Sequence, residues 1–251
     1  MLVIYKCDKV EPEPLNLVLA VLGFGMLTTI PSILFELIGE GILSVFLAED
    51  SVLFTLLDTF FVVALAEEFW KRFVVKKYMW KKPAFNYRFD GIVYCVASSL
   101  GFALLENILY VFQNGVGTGI VRAILSVPGH CTFAVFMGYY IGNAKLHQVR
   151  GNLKKAKRYM TRSLWVPVVL HGFYDFCLSR ESILLTLLFL LFVVVCDVFA
   201  IIFVVRGEKQ DIPFYVLQEG DTWIQNPVWL QMAAASLNME VPEELVFSDE
   251  S

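Results

Sequence analysis

Long apolar stretches dominate this chain and limit the environment in which it can fold. A helix needs about 20 predominantly apolar residues to cross a bilayer, and runs of about that length recur along a chain that is 57% hydrophobic. A soluble domain of this size would be less apolar. The sequence therefore predicts an all-α, polytopic helical membrane protein. We expect about six transmembrane helices, at roughly residues 15–38, 51–77, 91–113, 118–143, 160–179 and 182–205.

Lysine and arginine in the connecting loops predict the orientation. Two loops are strongly basic, whereas the opposite side offers only Glu49, Asp50, a glycine-rich turn at 115–119 and Arg180. Cytoplasmic loops carry the excess of basic residues, so we expect both termini to be cytoplasmic and the protein to lie in the plasma membrane. The basic excess bears on topology and gives no sign of nucleic-acid binding. The basic residues are Lys76, Lys77, Lys81, Lys82 and Arg88 in one loop, and Lys145, Arg150, Lys154, Lys155, Lys157 and Arg158 in the other.

Charge and hydropathy divide the chain into three predicted parts. A short cytoplasmic N-terminus covers 1–14, a transmembrane domain covers 15–206, and an acidic cytoplasmic tail covers 207–251. An acid-rich tail is typical of a solvated, partly disordered appendage. A small docking or regulatory segment is the alternative, because Trp223 and Trp229 are unusual in a purely disordered segment.

Four short polar motifs interrupt the apolar stretches. An ionisable group in hydrocarbon costs roughly 2.5–3.5 kcal/mol on insertion scales, so it rarely occurs there without a purpose. Several such groups on different helices predict one buried polar site. Two carboxylate clusters and two histidines are also the usual equipment for activating water. The motifs are EEFWK at 67–71, GFALLEN at 101–107, PGH at 128–130 and HGFYD at 171–175.

The first motif combines two carboxylates with a lysine. Glu67 and Lys71 are one helical turn apart, and Glu68 is also within reach of Lys71. Two adjacent carboxylates cannot both ionise cheaply at low dielectric, which suits one of them to act as a general base. Lys71 can hold the other carboxylate ionised. The alternative is a cytoplasmic helix end at which charged groups reach towards water.

The second and fourth motifs supply further acid–base groups. Glu106 lies in a long apolar run, and the amide of the adjacent Asn107 can donate and accept hydrogen bonds. His171 and Asp175 are one turn apart, and a carboxylate can orient an imidazole and fix its tautomer. Tyr174 adds a donor beside them.

His130 in the third motif is less specific. A lone histidine on an apolar helix is more often a hydrogen-bonded core residue than a ligand, although the preceding Pro128 and Gly129 favour a functional role. Arg122 is interpreted as an interfacial anchor. Structural or interfacial roles are expected for four other acidic residues, namely Glu36, Glu40, Asp58 and Asp197.

The order of these motifs resembles the PrsW family of intramembrane proteases, a branch of the CAAX-protease-like superfamily. EExxK, GFxxxEN, PxH followed by GYYIG at 138–142, and HGxYD occur in sequence between Asp58 and Phe176. The resemblance implies a helical protease domain that cleaves a membrane-anchored protein substrate in contact with the lipid bilayer. Namesakes of the family are associated with cutting anti-sigma factors during regulated proteolysis.

The resemblance also carries residue roles. It points to Glu67, Glu68, Glu106, His171 and Asp175 as site residues. CAAX prenyl endopeptidases have histidine at the position of Glu106, so this site is richer in carboxylates. Two chemistries follow: water activated by glutamate and histidine without a metal, or zinc held by two histidines and a carboxylate. The zinc set would be His130, His171 and Glu67.

The leading hypothesis is an intramembrane endopeptidase. Glu67 takes a proton from water with help from His171, and Glu68 sets the ionisation of Glu67. Asp175 orients His171, Glu106 shares the proton, and Asn107 or His130 donates to the oxyanion. The alternative is a proton- or ion-coupled transporter, or a non-catalytic membrane adaptor, because buried carboxylates and histidines also form proton relays. The lack of an obvious inverted repeat argues against a carrier.

Overall fold

The computed structural model describes residues 1–214 and consists of helices joined by short connections. Within that range no strand forms, apart from an isolated bridge between Tyr87 and Pro213. The predicted tail residues Trp223 and Trp229 lie outside the described part of the chain. The helices are α1 (Leu2–Cys7), α2 (Leu15–Phe46), α3 (Val52–Leu57), α4 (Ala64–Val74), α5 (Asp90–Val149), α6 (Leu153–Leu178) and α7 (Ile183–Lys209).

The outer surface of the bundle is apolar over large areas. Phe46 is 78% exposed, Phe112 is 84% exposed and Ile183 is 78% exposed. Exposed apolar area on this scale indicates contact with lipid. Three helices, α2, α5 and α7, are long and apolar enough to cross a membrane. The predicted class, an all-α polytopic membrane protein, is confirmed, and the number of six crossings stays a prediction.

The longest helix, α5, is a hairpin of two arms. Its backbone leaves helical geometry at Gly115, which has a φ of 83° and a ψ of 170°. This positive φ suits a glycine, and it places the turn inside the predicted 115–119 segment. The two arms then run side by side. A hydrogen bond of 2.9 Å joins them, in which the Ser99 hydroxyl of the first arm donates to the His130 carbonyl oxygen of the second. The hairpin thus brings two polar motifs of one helix together.

Helix α4 carries the EEFWK motif between two π-helical turns. The turns cover Asp58–Val63 and Val75–Met79. π-Helical turns inside α-helices are rare and frequently mark functional sites. Between them, Glu67, Glu68 and Lys71 all lie buried. Each π-helical turn contains more residues than an α-helical turn. It therefore changes the side of the helix on which the following side chains lie.

Small residues let α2 approach the first arm of α5 closely. A Cβ atom added to Gly101 would lie 2.0 Å from the Leu22 carbonyl oxygen, and one added to Gly25 would lie 2.1 Å from that of Ser98. This agrees with the expectation that small residues permit close helix packing in membranes. This contact fixes the position of the first arm of α5 along the bundle axis, and therefore the position of Glu106.

Candidate active site

A buried ammonium group lies at the centre of the polar site. Lys71 Nζ is 2.7 Å from Glu67 Oε2, 2.8 Å from Glu68 Oε1 and 3.0 Å from His130 Nδ1. The spacing of three and four residues along α4 brings both carboxylates to the lysine, and the second arm of α5 supplies the histidine. A lysine ammonium has three N–H donors, so these contacts use all of them. The Lys71 side chain is fully buried.

The contact with Lys71 determines the tautomer of His130. Because the ammonium can only donate, Nδ1 of His130 accepts, and the ring proton of the neutral imidazole lies on Nε2. Nε2 is 3.0 Å from Glu106 Oε2, to which it donates. The other oxygen of Glu106 is 2.7 Å from Arg122 Nη2. A continuous chain of polar contacts therefore runs from Arg122 through Glu106 and His130 to Lys71.

His171 lies between two carboxylates. Its Nδ1 is 2.9 Å from Glu68 Oε1 and its Nε2 is 3.2 Å from Asp175 Oδ2. A neutral imidazole can donate only one hydrogen bond, so both contacts are satisfied only when the three groups together hold an extra proton. Gly172 allows α6 to come close here, because an added Cβ atom would lie 2.6 Å from the ring of Phe60.

A cavity of about 540 Å³ opens beside these groups. Glu67, Glu106, His130, His171 and Asp175 line it. Glu68 and Lys71 do not line it and lie behind the other groups, with side chains that are fully buried. The structure therefore separates the two adjacent glutamates, and only Glu67 presents its carboxylate to the cavity.

Of the supporting residues predicted from the sequence, Tyr174 lies at the cavity and Asn107 does not. Tyr174 lines the cavity, and its buried hydroxyl has no hydrogen-bond partner. Asn107 does not line the cavity. Its amide instead donates to the Gly119 carbonyl oxygen at 3.3 Å and joins the two arms of α5. The expected role of Asn107 as an oxyanion donor does not fit this placement.

Sequence reasoning missed other polar residues of the cavity. Arg122 was expected to be an interfacial anchor, yet it lines the cavity and pairs with Glu106. Glu36 and Asp58 line the cavity as well. The available signal was their occurrence inside apolar stretches. The side of the helix that Asp58 faces could not be read from the sequence, because a π-helical turn begins at this residue.

Arg72 was also missed, and it anchors α4 rather than lining the cavity. Its Nε is 2.8 Å from Ser163 Oγ and its Nη2 is 2.9 Å from the Met160 carbonyl oxygen, both on α6. The guanidinium thus fixes α4 against α6, the helix that carries His171. A second basic residue directly after Lys71 in an apolar stretch was the signal for this contact.

Part of the site has the composition of a zinc site. Ligand atoms of Glu67, Glu68, His130 and His171 lie within 4.8 Å of one another, and imidazole and carboxylate ligands suit zinc. However, the ammonium of Lys71 is within 3.0 Å of three of these four residues. A metal at their centre would need Lys71 to withdraw or to lose its proton. The ligands therefore fit a metal, but the lysine already contacts three of them.

Comparison with known proteins gives a consistent result. A family described as PrsW family intramembrane metalloprotease matches residues 13–204. A relative named Protease PrsW from Geobacillus kaustophilus is 43% identical over 71% of this chain and 74% of its own length. Relatives of the same name from Oceanobacillus iheyensis and Bacillus subtilis are 38% and 34% identical, each over 71% of this chain and 77% of their own length. No solved structure matched significantly.

We predict that Lys71→Met destabilises the protein by about 3–5 kcal/mol, because it leaves two carboxylates and an imidazole buried without their shared donor. Adding Glu68→Gln should restore part of this loss, since it removes one of the unpaired charges. Unfolding of the detergent-solubilised protein by denaturant measures the free energies. Lys76→Met, at an exposed lysine in the π-helical turn that follows α4, should change stability by less than about 0.5 kcal/mol. Equal stabilities of Lys71→Met and Lys76→Met would contradict the central role of Lys71.

Proposed function

Because the chain belongs to the PrsW family of intramembrane metalloproteases, we propose that it hydrolyses a peptide bond of a membrane-anchored protein, with Glu67 activating water and His171 protonating the leaving group. The observation that supports this mechanism most is the convergence of Glu67, His130 and His171 from three helical segments on one cavity. The protein is an intramembrane protease by family. The mechanism below is our proposal.

Glu67 acts as the general base in this proposal. It is the member of the glutamate pair that faces the cavity, where water can reach it. Lys71 and Glu68 hold it in a fixed position from behind. Glu67 removes a proton from water as the water oxygen bonds to the scissile carbonyl carbon. General-base catalysis of this kind contributes about 10²–10⁴-fold.

His171 supplies the proton that the leaving group needs. The unit formed by His171, Glu68 and Asp175 holds one extra proton between its members. When the carbon–nitrogen bond breaks, His171 passes that proton to the departing amine nitrogen. Glu67 then returns the proton taken from water to the His171 unit through a water molecule, because His171 Nδ1 and Glu67 Oε2 are 3.9 Å apart, too far for a direct hydrogen bond.

Tyr174 is the proposed donor to the developing oxyanion. Tyr174 lines the cavity, and its buried hydroxyl has no hydrogen-bond partner, so the hydroxyl is free to donate. Two donors considered from the sequence are already engaged, since Asn107 bonds to Gly119 and His130 bonds to Glu106. Glu106 and Arg122 keep the ring of His130 in place, and His130 in turn holds Lys71.

A zinc ion held by His130, His171 and Glu67 would compete with Lys71, which already contacts His130 Nδ1 and Glu67 Oε2. The family is described as metalloproteases, and His130, His171 and Glu67 would hold the ion after the ammonium withdrew. Bound zinc would supply Lewis-acid activation of water. Our proposal assigns water activation to the residues themselves and takes no step through a metal.

The substrate is proposed at the level of a class. A membrane-anchored protein fits a site inside an apolar bundle, and an anti-sigma factor in regulated proteolysis is a candidate within that class. We also propose that the protein lies in the plasma membrane. The basic loops support an orientation in which both termini are cytoplasmic. A transporter or adaptor function gains no support from the site, whose motifs converge on one cavity.

We predict that Glu67→Gln abolishes cleavage while the protein stays folded in the membrane. New protein termini in membranes of cells that make the wild-type chain or the variant measure this, and they identify substrates at the same time. Glu181→Gln, at an exposed acid outside the cavity, should leave the termini unchanged. If Glu67→Gln and wild type gave the same termini at equal expression, Glu67 would not be the base.

We predict that Tyr174→Phe lowers kcat by about 10²–10³-fold with little change in KM, because an oxyanion donor acts mainly in the transition state. The substrate identified by the survey, cleaved by purified protein, provides the assay. A variant that raised KM and kept kcat would assign Tyr174 to substrate binding instead.

A further inference from the structure

A second group of carboxylates, two buried and one half-buried, lies away from the cavity, at the end of the bundle where α5 begins. Its members are Asp8 after α1, Asp90 at the start of α5 and Asp211 after α7. One oxygen of each lies within 4.8 Å of the others. Three parts of the chain that are far apart in sequence thus bring like charges together, and the proposed mechanism uses none of them.

Two carboxylate oxygens in this group have no hydrogen-bond donor. Asp90 is completely buried, and its Oδ2 accepts from the backbone N–H groups of Asn86 and Tyr87 at 2.9 and 2.6 Å. Its Oδ1 has no partner. Asp8 is 3% exposed, and its Oδ2 has no partner either. Buried polar atoms are nearly always paired, so two unpaired oxygens in one acidic cluster point to a missing ligand.

Fewer positive charges than acids lie near the cluster. A fourth acid, Glu13, is buried beside it and accepts from the Tyr94 hydroxyl. Within residues 1–214, no lysine or arginine forms an ion pair with any of these four acids. The Lys145 ammonium donates to the Phe85 carbonyl oxygen and interacts with Asp90 and Glu13 from beyond ion-pair distance. Arg88 interacts with Asp211 in the same way.

Burial and mutual repulsion disfavour the charged forms of these acids. Burial and the negative charge of Asp211 raise the pKa of Asp8 to about 6. Burial also raises the pKa of Glu13 to about 7, although the hydrogen bond from Tyr94 opposes the shift. Carboxylates in this situation take up either protons or a cation.

We propose that Asp8, Asp90 and Asp211 bind a hard divalent cation, Ca²⁺ or Mg²⁺. Such ions prefer carboxylate oxygens, and Ca²⁺ binds oxygen at about 2.3–2.6 Å. Two oxygens on one calcium ion are therefore at most about 5 Å apart, which the separation of up to 4.8 Å satisfies. Water and Glu13 can complete the coordination.

The bound cation joins both ends of the described chain to the start of α5. Asp8 belongs to the N-terminal segment, and Asp211 follows α7. The Asp211 carboxylate already accepts from the Phe89 backbone N–H at 2.9 Å, next to Asp90. The cation thus stabilises the helix whose two arms carry Glu106 and His130. This site is chemically distinct from the active site, whose imidazole ligands suit zinc.

Thermal unfolding of the full chain in detergent tests the proposal. The protein is treated with chelator and then titrated with Ca²⁺ or Mg²⁺ alone. A cation that binds only the folded state should raise the unfolding midpoint by about 5–10 °C at roughly 100 times its Kd. Asp8→Asn should remove this rise, and Asp211→Asn is a second variant in case the first fails to fold. Each asparagine keeps one oxygen acceptor.

Two controls locate the effect. Glu208→Gln removes an acid three residues before Asp211 that pairs with Lys9, and it should keep the full rise. Glu67→Gln alters the active site and should keep it too, so the test is independent of proteolysis. The proposal would be overturned if neither cation shifted the wild type, if only Glu67→Gln removed the shift, or if Asp8→Asn and Asp211→Asn both retained it. Protons would then neutralise the cluster.

Discussion

A single buried ammonium organises the active site. Lys71 has no access to water, and burying an isolated charge is very costly. Its three protons are therefore committed to Glu67, Glu68 and His130. Removing any acceptor would leave a buried donor unpaired, so the four side chains are interdependent. The rest of the bundle, including the contact of Arg72 with α6 and the α5 hairpin, brings these four side chains together.

This arrangement assigns different chemistry to two neighbouring glutamates. Glu68 is bonded to Lys71 and His171 and has no surface in the cavity, so it positions other groups. Glu67 shares the same lysine but faces the cavity, so it can exchange a proton with water. The α-helix makes this division possible, because adjacent residues point about 100° apart.

Helical spacing predicted the contacts within single helices of the site, and tertiary packing supplies the contacts between helices. The pairs Glu67–Lys71 and His171–Asp175 follow from helical periodicity, and the structure has both as close contacts. The contact between Lys71 and His130 spans 59 residues. It depends on the α5 hairpin and on the tight packing at Gly101, which no local pattern reports. The predicted role of Asn107 as an oxyanion donor does not fit its placement for the same reason, because its hydrogen-bond partner, Gly119, lies in the other arm of that hairpin.

The most direct test of the account is the zinc content of proteolytically active protein. The purified chain would be assayed for cleavage and for transition metals before and after treatment with a chelator. The metal-free mechanism predicts full activity with far less than one zinc per chain, because the ammonium of Lys71 already contacts Glu67, Glu68 and His130. One zinc per chain, with activity lost on its removal and restored on its return, would contradict it.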